Sequence, residues 1–173
     1  MEIREIGAAD AKSYLNLLKQ LDHETSFMLF EPGERKCTVE DAEKQLAAVE
    51  ETEQEVIFGA ETEGKLAGFV RGRSGNLNRN RYCMYVVIGI IQDYSGKGIG
   101  TRLFEELENW AKARRIQRLE LTVMEHNRPA MYLYEKIGFQ VEGMRKQSMF
   151  VDGEFVNEFY MAKILEGNGP PKT

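Results

Sequence analysis

The stretch Tyr82-Cys-Met-Tyr-Val-Val-Ile-Gly-Ile-Ile-Gln-Asp-Tyr-Ser-Gly-Lys-Gly-Ile-Gly-Thr101 sets the arrangement of the rest of the chain. It opens on an apolar run, Tyr82 to Ile91, rich in β-branched and aromatic residues. That length and composition predict a strand buried on both faces. Gln92 to Ser95 break the run, and Gly96, Gly98 and Gly100 then alternate with Lys97, Ile99 and Thr101. Glycines let the backbone turn tightly and leave its N–H groups bare of side chains. Ile99, Leu103, Phe104, Leu107, Trp110 and Ala111 recur at helical spacing, so the loop feeds an amphipathic helix. The start of such a helix offers unpaired N–H donors and the positive end of a dipole, where an anion can sit. Strand, glycine loop and helix predict a phosphate cradle, although the same glycines would also serve a plain turn.

Two phosphate motifs can be tested on this loop. The Gly-x-x-x-x-Gly-Lys-Ser/Thr nucleotide loop does not fit, because Lys97 precedes the last two glycines and no Lys-Thr pair follows. The dinucleotide fingerprint Gly-x-Gly-x-x-Gly puts Thr101 where its third glycine belongs. Glu120 lies at a suitable distance for a ribose-binding acid, yet inside the predicted strand Arg118–Val123 rather than at its end. A nucleotide-dependent oxidoreductase therefore rests on Gly-x-Gly and Glu120 alone.

With 173 residues, 42% of them hydrophobic, and only four prolines, the chain is expected to form one domain over 1–165. The polar tail, 166–173, is expected to fray. A net charge of −5 and a pI near 5.3 argue against general nucleic-acid binding. Cys37 and Cys83 stand far apart without Cys-x-x-Cys spacing, and the chain has only two histidines. No metal site is expected, and free thiols point to the cytoplasm. The start, Met-Glu-Ile-Arg-Glu, lacks the apolar core of a leader, and no run approaches the roughly 18 apolar residues of a membrane span.

Taken in order, residues 1–6 alternate as a short strand, and Ala11, Tyr14, Leu15, Leu18 and Leu21 mark one face of a helix from Asp10. Phe27, Met28, Leu29 and Phe30 form an apolar knot before the turn signal Glu-Pro-Gly33, read as core filler or as one wall of a substrate cleft. Thr38 with Asp41 resembles a helix cap for a segment reaching about Glu53. Glu55–Thr62 and Lys65–Arg73, joined at Glu63-Gly64, predict a hairpin that leads to the strand already described. The central helix ends near Arg115, and Gln117–Met124 supplies another strand. Asn127 caps a helix that Gly138 stops, and two strands joined at Asp152-Gly153 finish the chain. The expected order is βααβββαβαββ, a mixed α/β sheet.

Two separated blocks within this order resemble the GCN5-related N-acetyltransferase (GNAT) superfamily. Ser95-Gly-Lys-Gly98-Ile-Gly100 is similar to that family's acyl-CoA loop, Gln/Arg-x-x-Gly-x-Gly/Ala. Asn127-x-x-Ala130-x-x-x-Tyr134-Glu-Lys-x-Gly138-Phe139 resembles its second signature. The resemblance spans essentially the whole domain and implies an α/β (α+β) acyltransferase fold: a mixed, mostly antiparallel sheet with helices on both faces. It also implies acetyl-CoA as co-substrate. The backbone of Ser95, Gly96, Lys97, Gly98, Ile99, Gly100 and Thr101 would hold the pyrophosphate. The strand edge at Ile88, Gly89 and Ile90 would pair with the pantetheine amides, as peptides add to sheet edges. Asn127, beside Ala130, would bond the pantetheine arm. Tyr134 would protonate the departing thiolate, a role suited to a phenol of pKa about 10. The N–H of Ile90 would polarise the thioester carbonyl. By itself, without the flanking motif, a tyrosine at position 134 reads as a core residue.

The chain departs from the family in places. Ser95 replaces the usual Gln or Arg, removing a side-chain contact but not the backbone cradle. The two positions where members carry a basic carboxylate hold Met84 and Thr122. Glu120, Glu125, His126 or a water chain are left as bases, and histidine as a residue type ordinarily suits that role. An acceptor of low pKa, such as a peptide α-amino group, would need no strong base. Acids crowd the window from Asp22 to Glu63, with Glu31, Glu34, Glu40, Asp41 and Glu43 near the predicted cleft. They would draw a cationic acceptor such as a polyamine, or form a merely solvated face. Phe27 and Phe30, with Phe155 and Tyr160 of the last hairpin, would shape an apolar wall instead.

The leading expectation is an N-acetyltransferase acting on a small-molecule amine or a peptide N-terminus by direct attack in a ternary complex. A non-catalytic acyl-CoA sensor is the alternative, motivated by Met84 and Thr122. Dimerisation is common in the family, so the resemblance extends to a homodimer, with no stretch marking its interface.

Overall fold

In the computed structural model, which describes residues 1–167, the chain runs β1 (Glu2–Glu5), α1 (Ala11–Glu24), α2 (Val39–Glu50), β2 (Glu55–Thr62), β3 (Lys65–Ser74), β4 (Cys83–Ile90), α3 (Ile99–Ala113), β5 (Arg118–Met124), α4 (Arg128–Lys136), β6 (Gln140–Val151) and β7 (Glu154–Ile164). This is the order expected from the sequence. The predicted tail from position 168 onward lies outside the described residues.

Local chemistry sets the boundaries. The Asp41 N–H donates to Thr38 Oγ1 at 3.1 Å while the Asp41 carboxylate accepts from the Thr38 N–H at 3.0 Å. This is a capping box with Asp in place of the usual Glu or Gln, and it starts α2. Asn127 Oδ1 accepts from the Ala130 N–H at 3.3 Å and starts α4. Glu63 and Gly64 (φ 53° and 73°) and Asp152 and Gly153 (φ 51° and 83°) take the paired positive angles of two-residue hairpin turns.

The seven strands form one sheet in the order β1-β2-β3-β4-β5-β7-β6. Neighbours are antiparallel except β4 and β5, which run parallel. Helices cover both faces. On one, Met84 and Val86 of β4 pack with Leu103, Phe104 and Leu107 of α3 and with Leu119 and Leu121 of β5. On the other, Leu15 and Leu21 of α1 and Leu46 of α2 cover Ile57 and Phe69.

The second cover is narrow, and this corrects the expectation that β4 is buried on both faces. Helix α1 meets β4 at Gly89, where an added Cβ would come within 2.7 Å of Leu21 Cδ1. Past that point the face lies open. Met84 and Val86 are 0% and 2% exposed, whereas Tyr85 and Val87 are 42% and 39% exposed. The apolar knot is likewise not core filler, since Phe27, Leu29 and Phe30 stand at the surface. Only Met28 turns inward, toward Gly89. The loop is pinned instead by the buried Asp22, whose carboxylate accepts from Arg35 Nε at 2.7 Å and from Nη2 at 3.0 Å.

Candidate active site

The parallel pair β4–β5 is registered over Cys83–Arg118, Met84–Leu119 and Tyr85–Glu120, and then the strands part. Strand β5 stays paired with β7 as far as Met124, and β4 stays paired with β3 as far as Ile90. A fork therefore opens between β4 and β5. The peptide groups of β4 alternate in direction, as they must in an antiparallel ladder. The Ile91 N–H donates back to Ala67 O of β3 at 2.9 Å, while Tyr82 O accepts from Gln117 and Arg118 on the β5 side. By that alternation Val86, Ile88 and Ile90 turn their N–H and C=O groups into the fork. Gly89 turns its own toward β3, so of the expected edge Ile88, Gly89 and Ile90 only the two isoleucines offer it free backbone.

At the wide end of the fork lies the glycine loop. Gly96 and Gly98 take φ of 73° and 80°, a region that penalises any Cβ. The first helical bond of α3 runs from the Arg102 N–H to Gly98 O at 3.2 Å. The N–H groups of Ile99, Gly100 and Thr101 thus have no partner within the helix. Gly100 serves a different need: a Cβ there would stand 2.6 Å from Leu133 Cδ2 of α4 and 3.3 Å from Ile90 Cδ1. The missing side chain lets α3, α4 and β4 meet at one point. Ser95 Oγ donates to Ile91 O at 3.4 Å, and Lys97 Nζ stands 5.1 Å from the Tyr94 ring. The Gln92 N–H donates to Glu24 at 2.9 Å, which ties the loop to the end of α1.

Tyr134 approaches the fork from the α3–α4 face. Its ring is 6% exposed and makes an edge contact with Phe104 at 5.9 Å and a tilted one with Phe139 at 5.9 Å. Burial pushes its phenol above the ordinary value of 10.0, and Tyr85 adds to the same direction. Tyr134 is therefore a core residue and a protonated phenol together.

From the open face come Tyr85 and Thr122, whose hydroxyls share a hydrogen bond of 2.8 Å. Tyr160, 47% exposed, lies opposite Thr122 in the β5–β7 ladder. His126 is exposed in the β5–α4 loop, and its ring packs on Phe27 with centroids 5.1 Å apart. Phe30 turns elsewhere, under the Arg35 guanidinium at 4.1 Å. It lines a cavity of about 330 Å³ beneath α1 and α2. Glu31 is exposed, and its N–H donates to Glu34. Of the residues read as flanking the acceptor, the fold brings Phe27 to His126 and Tyr160 opposite Thr122, sets Phe30 against Arg35, and leaves Phe155 and Glu31 exposed.

The carboxylates near the fork are engaged. Glu120 accepts from Arg118 Nε at 2.8 Å, and Glu125 accepts from Asn157 Nδ2 at 3.3 Å. Glu120 also helps burial push the Cys83 thiol up to about 11. Glu158, only 7% exposed, accepts from Arg145 Nη1 at 3.0 Å and from Ser148 Oγ at 2.8 Å. Met84 is fully buried against α3. Among the described residues no group of three or more His, Cys, Asp or Glu is arranged to hold a metal ion, and no helix is long and apolar enough to cross a membrane.

A parted parallel strand pair, a glycine-started helix at its wide end and a buried tyrosine beside it match a known architecture. The sequence profile of the Acetyltransferase (GNAT) family matches residues 18–139. The chain belongs to the GNAT acetyltransferase family. A GNAT acetyltransferase from Streptococcus pneumoniae, 30% identical, superposes with a TM-score of 0.90 over 95% of this chain and 98% of that one. An Escherichia coli L-amino acid N-acetyltransferase, AaaT, is 36% identical over 75 residues, 41% of this GNAT chain and 44% of that relative's length. The match thus spans less than half of that relative. The Escherichia coli spermidine N(1)-acetyltransferase is 28% identical over 152 residues, covering 85% of this chain and 78% of that enzyme. These relationships support an acyltransferase and do not favour a non-catalytic acyl-CoA sensor.

Two residues of this GNAT site escape a reading by motif. Tyr85 sits inside an apolar run whose alternation is hidden by β-branched neighbours on both faces. Its signal is the spacing Cys83, Tyr85, Val87, Gly89, which puts a hydroxyl on the face opposite Met84 and Val86. Glu158 is an acid on a strand where Val156 and Tyr160 share its face, a pattern that marks a paired rather than a solvated carboxylate.

Proposed function

We propose that the enzyme transfers an acetyl group from acetyl-CoA to the primary amine of a small molecule by direct attack within a ternary complex. The observation that carries this reading is the fork between β4 and β5. It leaves the Ile88 and Ile90 peptide groups unpaired beside a glycine-started helix. The donor fits these residues. The N–H groups of Gly96 to Thr101 suit a pyrophosphate, and the free edge of β4 suits an amide-bearing arm laid along it as an extra strand. Asn127 spends its Oδ1 on capping α4 and keeps its Nδ2 for that arm.

The acceptor nitrogen attacks the thioester carbonyl carbon, forming the C–N bond as the C–S bond breaks. The Ile90 N–H donates to the carbonyl oxygen as negative charge gathers there. Tyr134 gives its proton to the departing sulfur and regains one from the acylated nitrogen by way of water. Atoms and protons balance: one proton leaves nitrogen and one reaches sulfur. The raised pKa of Tyr134 keeps the phenol protonated until sulfur takes up charge.

Amino acids and spermidine are the acceptors named for the two relatives, and a peptide N-terminus offers the same nucleophile. Calorimetric titration with acetyl-CoA, followed by thiol release against L-amino acids, spermidine and short peptides, tests the reading. Binding with release for one amine class supports it. Failure to bind acetyl-CoA, or binding without release from any of the three, overturns it.

A further inference from the structure

We propose that Tyr85 is the residue that receives the acceptor amine: its hydroxyl donates to Thr122 Oγ1 and accepts a hydrogen bond from the attacking nitrogen. The inference rests on the direct-attack reading above and names the group that reading leaves open.

The position of Tyr85 is set by the fold. It forms the last β4–β5 pair, with Glu120, so its ring stands where the fork begins. It points to the open face, the one not closed by α3 and α4, and this is the face from which an acceptor can reach a donor lying in the fork. It is 42% exposed, on a strand whose alternate residues Met84 and Val86 are buried. Its hydroxyl reaches Thr122, beyond the last residue of β5 paired with β4, at 2.8 Å. A phenol that donates to threonine keeps a lone pair, and Thr122 Oγ1, once it accepts, orients that lone pair into the fork.

The surrounding charges leave little else for an amine to meet. On β5, Glu120 is paired with Arg118. On β7, Glu158 is paired with Arg145. Arg73 is the cross-strand neighbour of Tyr85 on β3, and Glu55 faces it from β2. Cys83 shares the face on β4, Tyr160 flanks Thr122 on β7, and Tyr134 of α4 lies across the fork. Glu120, Glu158 and Glu55 each have a cationic partner, and Glu125, just after β5, accepts from the Asn157 amide. A hydroxyl pair bonds the neutral amine by its N–H and leaves the nitrogen lone pair free, whereas an ammonium has no lone pair to attack with. The reactive form at the site is therefore the neutral amine, and acceptors whose amines lose their proton readily are favoured.

The test compares wild type with Tyr85→Phe, Thr122→Val and Thr122→Ser on propylamine, glycinamide, L-methionine and spermidine. Tyr85→Phe is expected to raise KM for the amine about tenfold, the loss of one hydrogen bond to a polar group, with acetyl-CoA affinity within about twofold of wild type. Thr122→Val is expected to move KM the same way by a smaller factor, and Thr122→Ser to restore it. In wild type, kcat/KM is expected to rise with pH along the titration of each amine itself, so that glycinamide reacts at lower pH than propylamine. Tyr85→Phe with unchanged amine KM overturns the inference alone, because acetyl-CoA binding and transfer would still stand. An inflection at one pH for every amine also overturns it, since it identifies a protein base. A wild-type enzyme that fails to bind acetyl-CoA overturns the direct-attack reading and this inference together.

Discussion

The ring of Phe27 packs on the imidazole of His126 with centroids 5.1 Å apart. The contact joins the α1–α2 loop to the β5–α4 loop, two segments far apart in sequence that border the open face of the fork. Because each ring holds the other, their effects on turnover should not add. Phe27→Ala and His126→Ala are each expected to lower kcat/KM about fivefold through the amine KM, and the double variant no more than the worse single change. Strict additivity in steady-state kinetics would show that the two loops act independently.

Tyr134→Phe keeps the ring that packs on Phe104 and Phe139 and removes only the hydroxyl. The melting temperature and acetyl-CoA affinity should stay near wild type, while kcat falls at least about tenfold. The phenol is held above 10.0. The alkaline limb of the wild-type kcat profile should therefore not fall at or below pH 10 on account of Tyr134. A Tyr134→Phe enzyme with full turnover would remove this residue from the chemistry.

Gly100 and Gly96 predict different outcomes for the same substitution. A Cβ at position 100 meets Leu133 and Ile90, so Gly100→Ala should cost about 1–3 kcal/mol by overpacking and shift α4 with Tyr134. At position 96 nothing stands within 4 Å, and only the positive φ is penalised, by about 1 kcal/mol for Ala. Chemical denaturation should order them so, with kcat reduced in the Gly100 variant more than acetyl-CoA affinity.

Arg35 is the partner of a carboxylate that is 2% exposed. Arg35→Ala would leave Asp22 buried and unpaired, at a cost of about 3 kcal/mol. Replacing both, as Asp22→Leu with Arg35→Met, should recover most of it. Denaturant midpoints for the two variants check this, and equal losses would show that the pair itself, rather than the orphaned charge, stabilises the loop.

Element order and type were legible because they rest on local chemistry: the Thr38–Asp41 box, the Asn127 cap, two hairpin turns and the glycine-started helix. The loop and the Tyr134 block were legible as motifs. What the residues could not reveal was coverage. How far α1 and α2 extend over the sheet depends on where α1 crosses β4, at Gly89, and nothing near Tyr85 or Val87 records that. The same holds for the α1–α2 loop, where four consecutive apolar residues look like core until the Asp22–Arg35 pair is seen to fix them at the surface. The point at which β4 and β5 part is equally silent, since both strands keep their strand composition beyond it.

The sheet is continuous across its middle only through the registered stretch Cys83–Tyr85 with Arg118–Glu120. Toward the wide end it consists of two slabs, β1 to β4 and β5-β7-β6, with a seam of unsatisfied backbone on the β4 side. A donor laid in that seam would add to the β4 edge as an eighth strand for as long as it is bound. Part of the binding energy of the pantetheine arm would then come from β4 backbone groups that have no strand partner. Release of the spent thiol would then leave that edge of β4 bare again.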